Sequence, residues 1–342
     1  MLRITDASPP AGSIFQNGRF RPDRWETYME SVCPGAARLC REDMAEATAS
    51  GKFTWEKDYL PVIEAVPGDG RLEELRASFA AVTKGLGRRV RERFGRELEA
   101  DVILYLGLCS GAGWVVELNG RTIVLLGIEK ILELGWHTRD ALCGLLYHEL
   151  GHIYHGQYGA LNQESRKDGH RFVWQLFAEG VAMYFEQELA GEPGRFHQYD
   201  KDWAGWCGEH FVQLLRDFDR DLPSMRRDTQ RYFGDWCDYH GRGDTGYYLG
   251  ARFVRELAEN IPFDTLVGLD TGRVWELYRD FVRRHARGRF RALFSKAGTR
   301  RAAEAVRMDF RAFSLRSIPK MFTSYPIVFC ISLYYNKYNW LC

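Results

Sequence analysis

The sequence predicts an α+β protein, mainly helical, with a small β-sheet just before its most distinctive helix. Three observations carry this reading. Apolar residues recur at Leu142, Leu145, Leu146, Leu150 and Ile153, the spacing of an α-helix, with Thr138 or Asp140 placed to cap it. A second run, Trp174 to Glu186, is apolar on most sides: Leu176, Phe177, Val181, Met183, Tyr184 and Phe185. Between 100 and 128 the period changes. Asp101 to Leu106 reads as a buried strand, and Trp114–Leu118 and Arg121–Leu126 flank Asn119-Gly120, the strongest short hairpin signal.

The remaining elements follow in order. Residues 1 to about 20 contain Pro and Gly without periodicity and read as an irregular arm. Trp25 to about Glu64 is helical, broken at Pro34-Gly35 and closed by Pro67-Gly68-Asp69-Gly70. Arg71 to about Phe94 reads as one surface helix with Leu72, Leu75, Phe79, Val82 and Leu86 inward and an arginine cluster in solvent. Residues 191–243 form a long Trp- and Asp-rich connection with some helix around Phe211 to Phe218, suited to walling a cleft. Asp244 is placed to cap a helix from Thr245 to about Glu259, Pro262 ends it, and Thr271 to about Arg287 is another helix. The expected organisation is an N-terminal helical region (1–99), a main domain (100–312) and a tail (313–342). The tail has no Ala or Gly beyond Phe313 and is rich in Ile, Tyr, Asn and Lys; poor order and an origin outside the rest of the gene are expected for it.

At 342 residues and a formal net charge of +1, the chain has room for one large domain or two modest ones, and its overall charge points to no polyanion or membrane surface. It opens without the apolar run of a signal peptide and has no clear membrane-spanning window, so a cytoplasmic protein is expected. The eight cysteines are scattered and read as reduced thiols. Cys207-x-x-His210 and Cys237-x-x-His240 have the spacing of a structural zinc site, although either pair also fits plain core and surface. The arginines at 283, 284, 287, 289, 291, 300 and 301 suit the solvent face of an amphipathic helix better than a nucleic-acid patch.

The chemistry concentrates in His148-Glu149-Leu150-Gly151-His152, an H-E-x-x-H sequence inside the first helix. On a helix the two histidines lie one turn apart and displaced by only about 40°, so both imidazoles can reach one metal ion, at about 2.0–2.1 Å if it is zinc. Glu149 falls beside them, where it is no ligand and can act as a general base on water. Two imidazoles and a carboxylate on an apolar helix are costly without a metal. A catalytic zinc needs a third protein ligand. Glu179 supplies it best, since apolar neighbours surround it; Glu186 and Glu188 are the rivals, expected in solvent where the helix turns polar. The alternative H-E-x-x-H-x-x-G-x-x-H pattern fails, because position 155 is His and position 158 is Tyr.

These residues resemble the gluzincins, zinc metallopeptidases with H-E-x-x-H on one helix and a Glu ligand in an E-G-x-A context on the next. The nearest likeness is to the poorly characterised family of predicted zinc-dependent proteases, over roughly residues 100–285. The resemblance implies a zincin-like core, Zn2+ as cofactor, and a peptide or protein as substrate. It also implies a transition-state donor. In the gluzincin aminopeptidases a Tyr-x-x-Gly stretch opening a helix supplies one, and Tyr247-Tyr248-Leu249-Gly250 is similar, which points to Tyr247, then Tyr248, with His240 more remote. Two features depart from the family. The aminopeptidase Gly-x-Met-Glu-Asn motif is absent from Gly111 to Trp114, and Met183 stands where some gluzincins carry the Asp that orients a ligand histidine. The expected function is therefore a zinc peptidase with His148, His152 and Glu179 as ligands and Glu149 and Tyr247 as catalytic groups. The rival expectations are a zinc-binding regulator of the same fold without turnover, and a nucleic-acid-binding module using the arginine-rich segment.

Overall fold

The computed structural model describes residues 1–295 apart from 11, 50, 52, 164–168, 198–200, 227 and 235–236; the side chains of 201 and 287–295 are also outside the description. The tail from 313, Arg300 and Arg301, and the side chains of Arg287, Arg289 and Arg291 therefore lie outside it.

The fold is α+β: a small mixed sheet, a separate two-strand hairpin, and many helices. The sheet strands are β1 (Leu2–Asp6), β4 (Ala100–Tyr105), β5 (Gly113–Leu118) and β6 (Arg121–Gly127); the hairpin is β2 (Phe15–Gln16) with β3 (Arg19–Phe20). The sheet order is β1-β4-β6-β5, with β1 and β6 parallel to β4 and β5 antiparallel to β6. The Asn119-Gly120 turn is as expected: both residues have positive φ, +54° and +72°, which matches the twist of the strands they join. The first twenty residues depart from expectation. The irregular arm contains β1, which pairs Leu2 with Ala100 and Asp6 with Leu104 at the sheet edge. Its five residues are mostly exposed, so no alternation marks them as a strand, and the partner that orders them is far away in sequence.

The N-terminal helices are α1 (Pro22–Val32), α2 (Ala36–Thr48) and α3 (Leu60–Ala65), the last preceded by a π turn at Trp55–Tyr59. The single helix expected over 71–94 is two, α4 (Leu72–Thr83) and α5 (Leu86–Phe94), because Gly85 takes a left-handed φ of +68° between them. Then follow α6 (Ile128–Glu133), α7 (Arg139–Tyr158), α8 (His170–Ala190), α9 (Lys201–Glu209), α10 (Phe211–Asp221), α11 (Thr245–Ala258), α12 (Phe263–Leu266) and α13 (Thr271–Ser295). One hydrophobic core runs from Ile14 to Val282 and takes in the N-terminal helices as well as α7, α8 and α11. The indole of Trp25 donates to Leu106 O at 2.9 Å, joining α1 to the end of β4. No helix among the described residues is long and apolar enough to cross a membrane.

Three helices stack closely where the chemistry lies, and small residues permit it. A Cβ on Gly151 of α7 would lie 2.7 Å from Ala182 Cα of α8, and one on Gly180 of α8 would lie 2.3 Å from Gly250 O of α11. Backbones this close bring short stretches of α7, α8 and α11 together. On the other side α7 packs on β5 and β6, the hairpin that precedes it.

Candidate metal centre

The start of α7 is fixed by Thr138, whose hydroxyl accepts the Ala141 N–H at 3.4 Å. Further along, the helix turns His148 and His152 to one face. Their Nε2 atoms lie 3.1 Å apart and their rings are nearly perpendicular. From α8, Glu179 Oε2 comes within 3.3 Å of the His148 Nε2 and 3.5 Å of the His152 Nε2. All three residues are buried, and neither Glu179 oxygen makes a hydrogen bond. Three Lewis-base atoms thus face a common point. A tetrahedral zinc ion with bonds of about 2.0–2.1 Å holds its ligands about 3.3–3.4 Å apart. The observed separations of 3.1, 3.3 and 3.5 Å fit that triangle, so the donor set suits a zinc ion.

Without a metal the cluster balances its own charge: burial disfavours the His152 imidazolium, but Glu179 and then Glu149 outweigh this and hold it above its usual range. Burial pushes the His148 imidazolium down to about 4 despite the pull of Glu179. Burial also disfavours the ionised Glu179, but the two imidazoles beside it outweigh this and hold the carboxyl below its usual range. Glu149 is fully buried, neither of its oxygens has a hydrogen-bond partner, and burial pushes its carboxyl up to about 8. It lies against the first residue of β5: a Cβ on Gly113 would sit 3.0 Å from Glu149 Oε1. β5 is an edge strand of the sheet, the other being β1, a point the sequence left open.

No family model, curated protein or solved structure matches this chain.

Tyr247, near the start of α11, places its ring 5.7 Å from that of His148. Tyr248 turns the other way, stacking on Phe196 at 5.4 Å and meeting Trp203 edge-on. His240 is exposed beside Tyr239 and is not brought to the cluster. Asp244 precedes α11 as expected but does not cap it. Its φ is +52°, and its carboxylate instead accepts the Gly234 N–H at 2.6 Å, tying the 234–244 loop to the helix start.

The two rival carboxylates separate. Glu188 is half-buried and ion-paired with Arg93 and with Arg255, the latter at 3.1 Å. Glu186 is buried, contrary to the expectation that it lies in solvent. It follows Glu179 by seven residues, so both share one face of α8. Its Oε2 accepts from His197 Nδ1 at 2.9 Å and lies 3.8 Å from His148 Nδ1. Sequence reasoning missed His197. It has no motif around it and reaches the cluster from the connection after α8.

The Cys207, His210, Cys237 and His240 set is not assembled into a metal site among the described residues. The Cys237 thiol contacts the Gln230 and Phe233 carbonyls, and His210 stacks on Trp206 at 4.3 Å. Of the arginine-rich segment, Arg283 is paired with Asp280, and Arg284 with Glu256 at 2.5 Å.

Proposed function

We propose that this protein is a zinc-dependent peptidase, with His148, His152 and Glu179 as ligands and Glu149 as general base. The observation that supports it most is the buried triangle of His148, His152 and Glu179 donors with an unpartnered carboxylate beside it. When bound, zinc supplies a Lewis acid that polarises the scissile carbonyl and acidifies water. Glu149 takes the proton from the attacking water and returns it to the leaving amine; a carboxyl pushed up to about 8 suits a group that must do both near neutral pH. Tyr247, whose ring packs 5.7 Å from that of His148, is the side chain that would donate its hydroxyl to the oxygen that gains charge in the transition state. The zincin-like arrangement is supported by an antiparallel edge strand that starts against Glu149, since an extended peptide lying along such an edge offers its carbonyls to the cluster.

One observation favours a second reading, a zinc-binding protein of this fold without turnover. The donors are closed in: His152, the most open of them, is only 5% exposed, and β5 is buried except at Glu117. The two readings part in one experiment. A broad peptide library is digested with zinc-loaded wild type and Glu149→Gln, and zinc content is measured alongside. The peptidase reading expects cleavage that falls about 100- to 10,000-fold in Glu149→Gln with zinc retained. Zinc bound by a wild type that cleaves nothing decides for the second reading, and a fully active Glu149→Gln overturns the mechanism.

A further inference from the structure

Zinc on the Nε2 of a neutral histidine leaves its one ring proton on Nδ1, and that N–H needs an acceptor when buried. His148 has this need. Its Nδ1 is buried and makes no hydrogen bond. Met183, four residues after Glu179, is buried in the core and brings only a thioether, a weak acceptor beside a carboxylate. The carboxylate oxygen facing His148 Nδ1 is Glu186 Oε2, at 3.8 Å; a shift of about 1 Å brings it to ordinary hydrogen-bond length.

Glu186 is itself held in place. His197 Nδ1 meets the same oxygen at 2.9 Å, and its ring packs edge-on against Trp136 at 5.4 Å. The segment carrying His197 is tied to both helices. The Gln187 amide donates to Arg195 O at 2.8 Å, and Arg195 pairs with Asp140 in the first turn of α7 at 2.9 Å. Gly144, one turn before His148, makes the room: a Cβ there would lie 2.3 Å from His197 Cβ and 2.9 Å from Glu186 Oε1. A buried carboxylate, a buried imidazole and a glycine are thus all set behind the first donor of the triangle.

We propose that Glu186 and His197 are a positioning pair for His148: Glu186 accepts the His148 Nδ1–H, and His197 holds the carboxylate in the orientation that receives it. This rests on the zinc reading above. The pair touches neither substrate nor the reacting atoms; it acts by fixing the tautomer and ring direction of a ligand. Partners of this kind are worth about 10- to 100-fold in metal affinity.

The test uses the full chain, with zinc affinity measured by competition against a chromophoric chelator. The cobalt(II)-substituted protein gives a spectrum that reports ligand geometry. Glu186→Met, which replaces the carboxylate by an apolar side chain of similar length, is expected to weaken zinc about 10- to 100-fold and to shift the cobalt bands. Glu186→Gln keeps an acceptor oxygen and is expected to stay within a few-fold of wild type. His197→Ala is expected to fall between them, and Gly144→Ala to resemble it without altering any donor. Stability alone does not separate this from a structural role, because Glu186→Met leaves the buried His197 Nδ1 without its acceptor and lowers the stability of the metal-free protein on either account. The affinity and the cobalt spectrum of the folded variant separate the two: a purely structural Glu186 would lower stability and leave both of them unchanged. Wild-type affinity and spectrum in Glu186→Met, with zinc still lost in His148→Ala, overturn the proposal and spare the zinc site. Two zinc ions per wild-type chain and one in Glu186→Met also overturn it, since His148, Glu186 and His197 then ligate a second ion. Zinc bound equally by wild type, His148→Ala and His152→Ala overturns the zinc reading itself.

Discussion

Two buried glutamates, Glu129 beside the end of β6 and Glu179 on α8, make the comparison that explains this molecule. Glu129, at the start of α6, accepts the Gly107 N–H at 3.0 Å and the Cys109 N–H at 2.9 Å. It fastens the turn between β4 and β5, in which Cys109 has a left-handed φ of +62°. Glu179 is as deeply buried, but no backbone amide satisfies it, neither of its oxygens makes a hydrogen bond, and its nearest neighbours are two imidazole nitrogens that can also ligate a metal. A carboxylate satisfied by backbone amides needs no further partner and serves the fold. One with no hydrogen-bond partner among imidazoles is costly until a cation joins it, and that cost is what makes a binding site.

Breaking each side of the comparison should give opposite results. The largest effect on zinc binding is expected for His148→Ala, which removes a donor of the triangle. Zinc at a hundred times its Kd should stabilise the wild type by about 2.7 kcal/mol and the variant not at all, as read from thermal unfolding with and without zinc. Next comes Glu129→Ala. It leaves two buried N–H groups unpaired at about 1–3 kcal/mol each, so urea unfolding should show a loss of about 2–6 kcal/mol. Zinc bound per folded chain should not change; a Glu129→Ala protein that folds normally but has lost zinc would reverse the assignment of the two carboxylates. The smallest structural effect is expected from Tyr247→Phe, which keeps the ring on His148 and removes only the hydroxyl. Zinc content and KM should hold while kcat falls roughly 100-fold. An unchanged kcat would return Tyr247 to ordinary packing.

Much of the centre was legible because its signals are local. The helical period of α7, the H-E-x-x-H spacing and the apolar setting of Glu179 are each contained within about twenty residues, as is the Asn119-Gly120 hairpin. What was not legible depends on distant chain. β1 is a strand only because β4 lies beside it. Glu186 stands next to Gln187 and Glu188, so its surroundings in sequence read as polar, yet it faces α7 and is sealed by the segment that brings His197. The Asp244 position was right and its bonding was not, since the carboxylate turns back to Gly234 and not forward into α11. The close stacking of α7, α8 and α11 did have a signal in Gly151, Gly180, Ala182 and Gly250, small residues within otherwise bulky helices. Their spacing does not say which pairs meet.

The central claim is that one zinc ion is held by His148, His152 and Glu179. Zinc per chain, measured by mass spectrometry after dialysis, tests it most directly in wild type, Glu179→Ala and Glu188→Ala, because the two glutamates share a helix and only Glu179 belongs to the triangle. The expected result is one zinc in wild type and in Glu188→Ala, and close to none in Glu179→Ala. Equal zinc in the two variants would contradict the account.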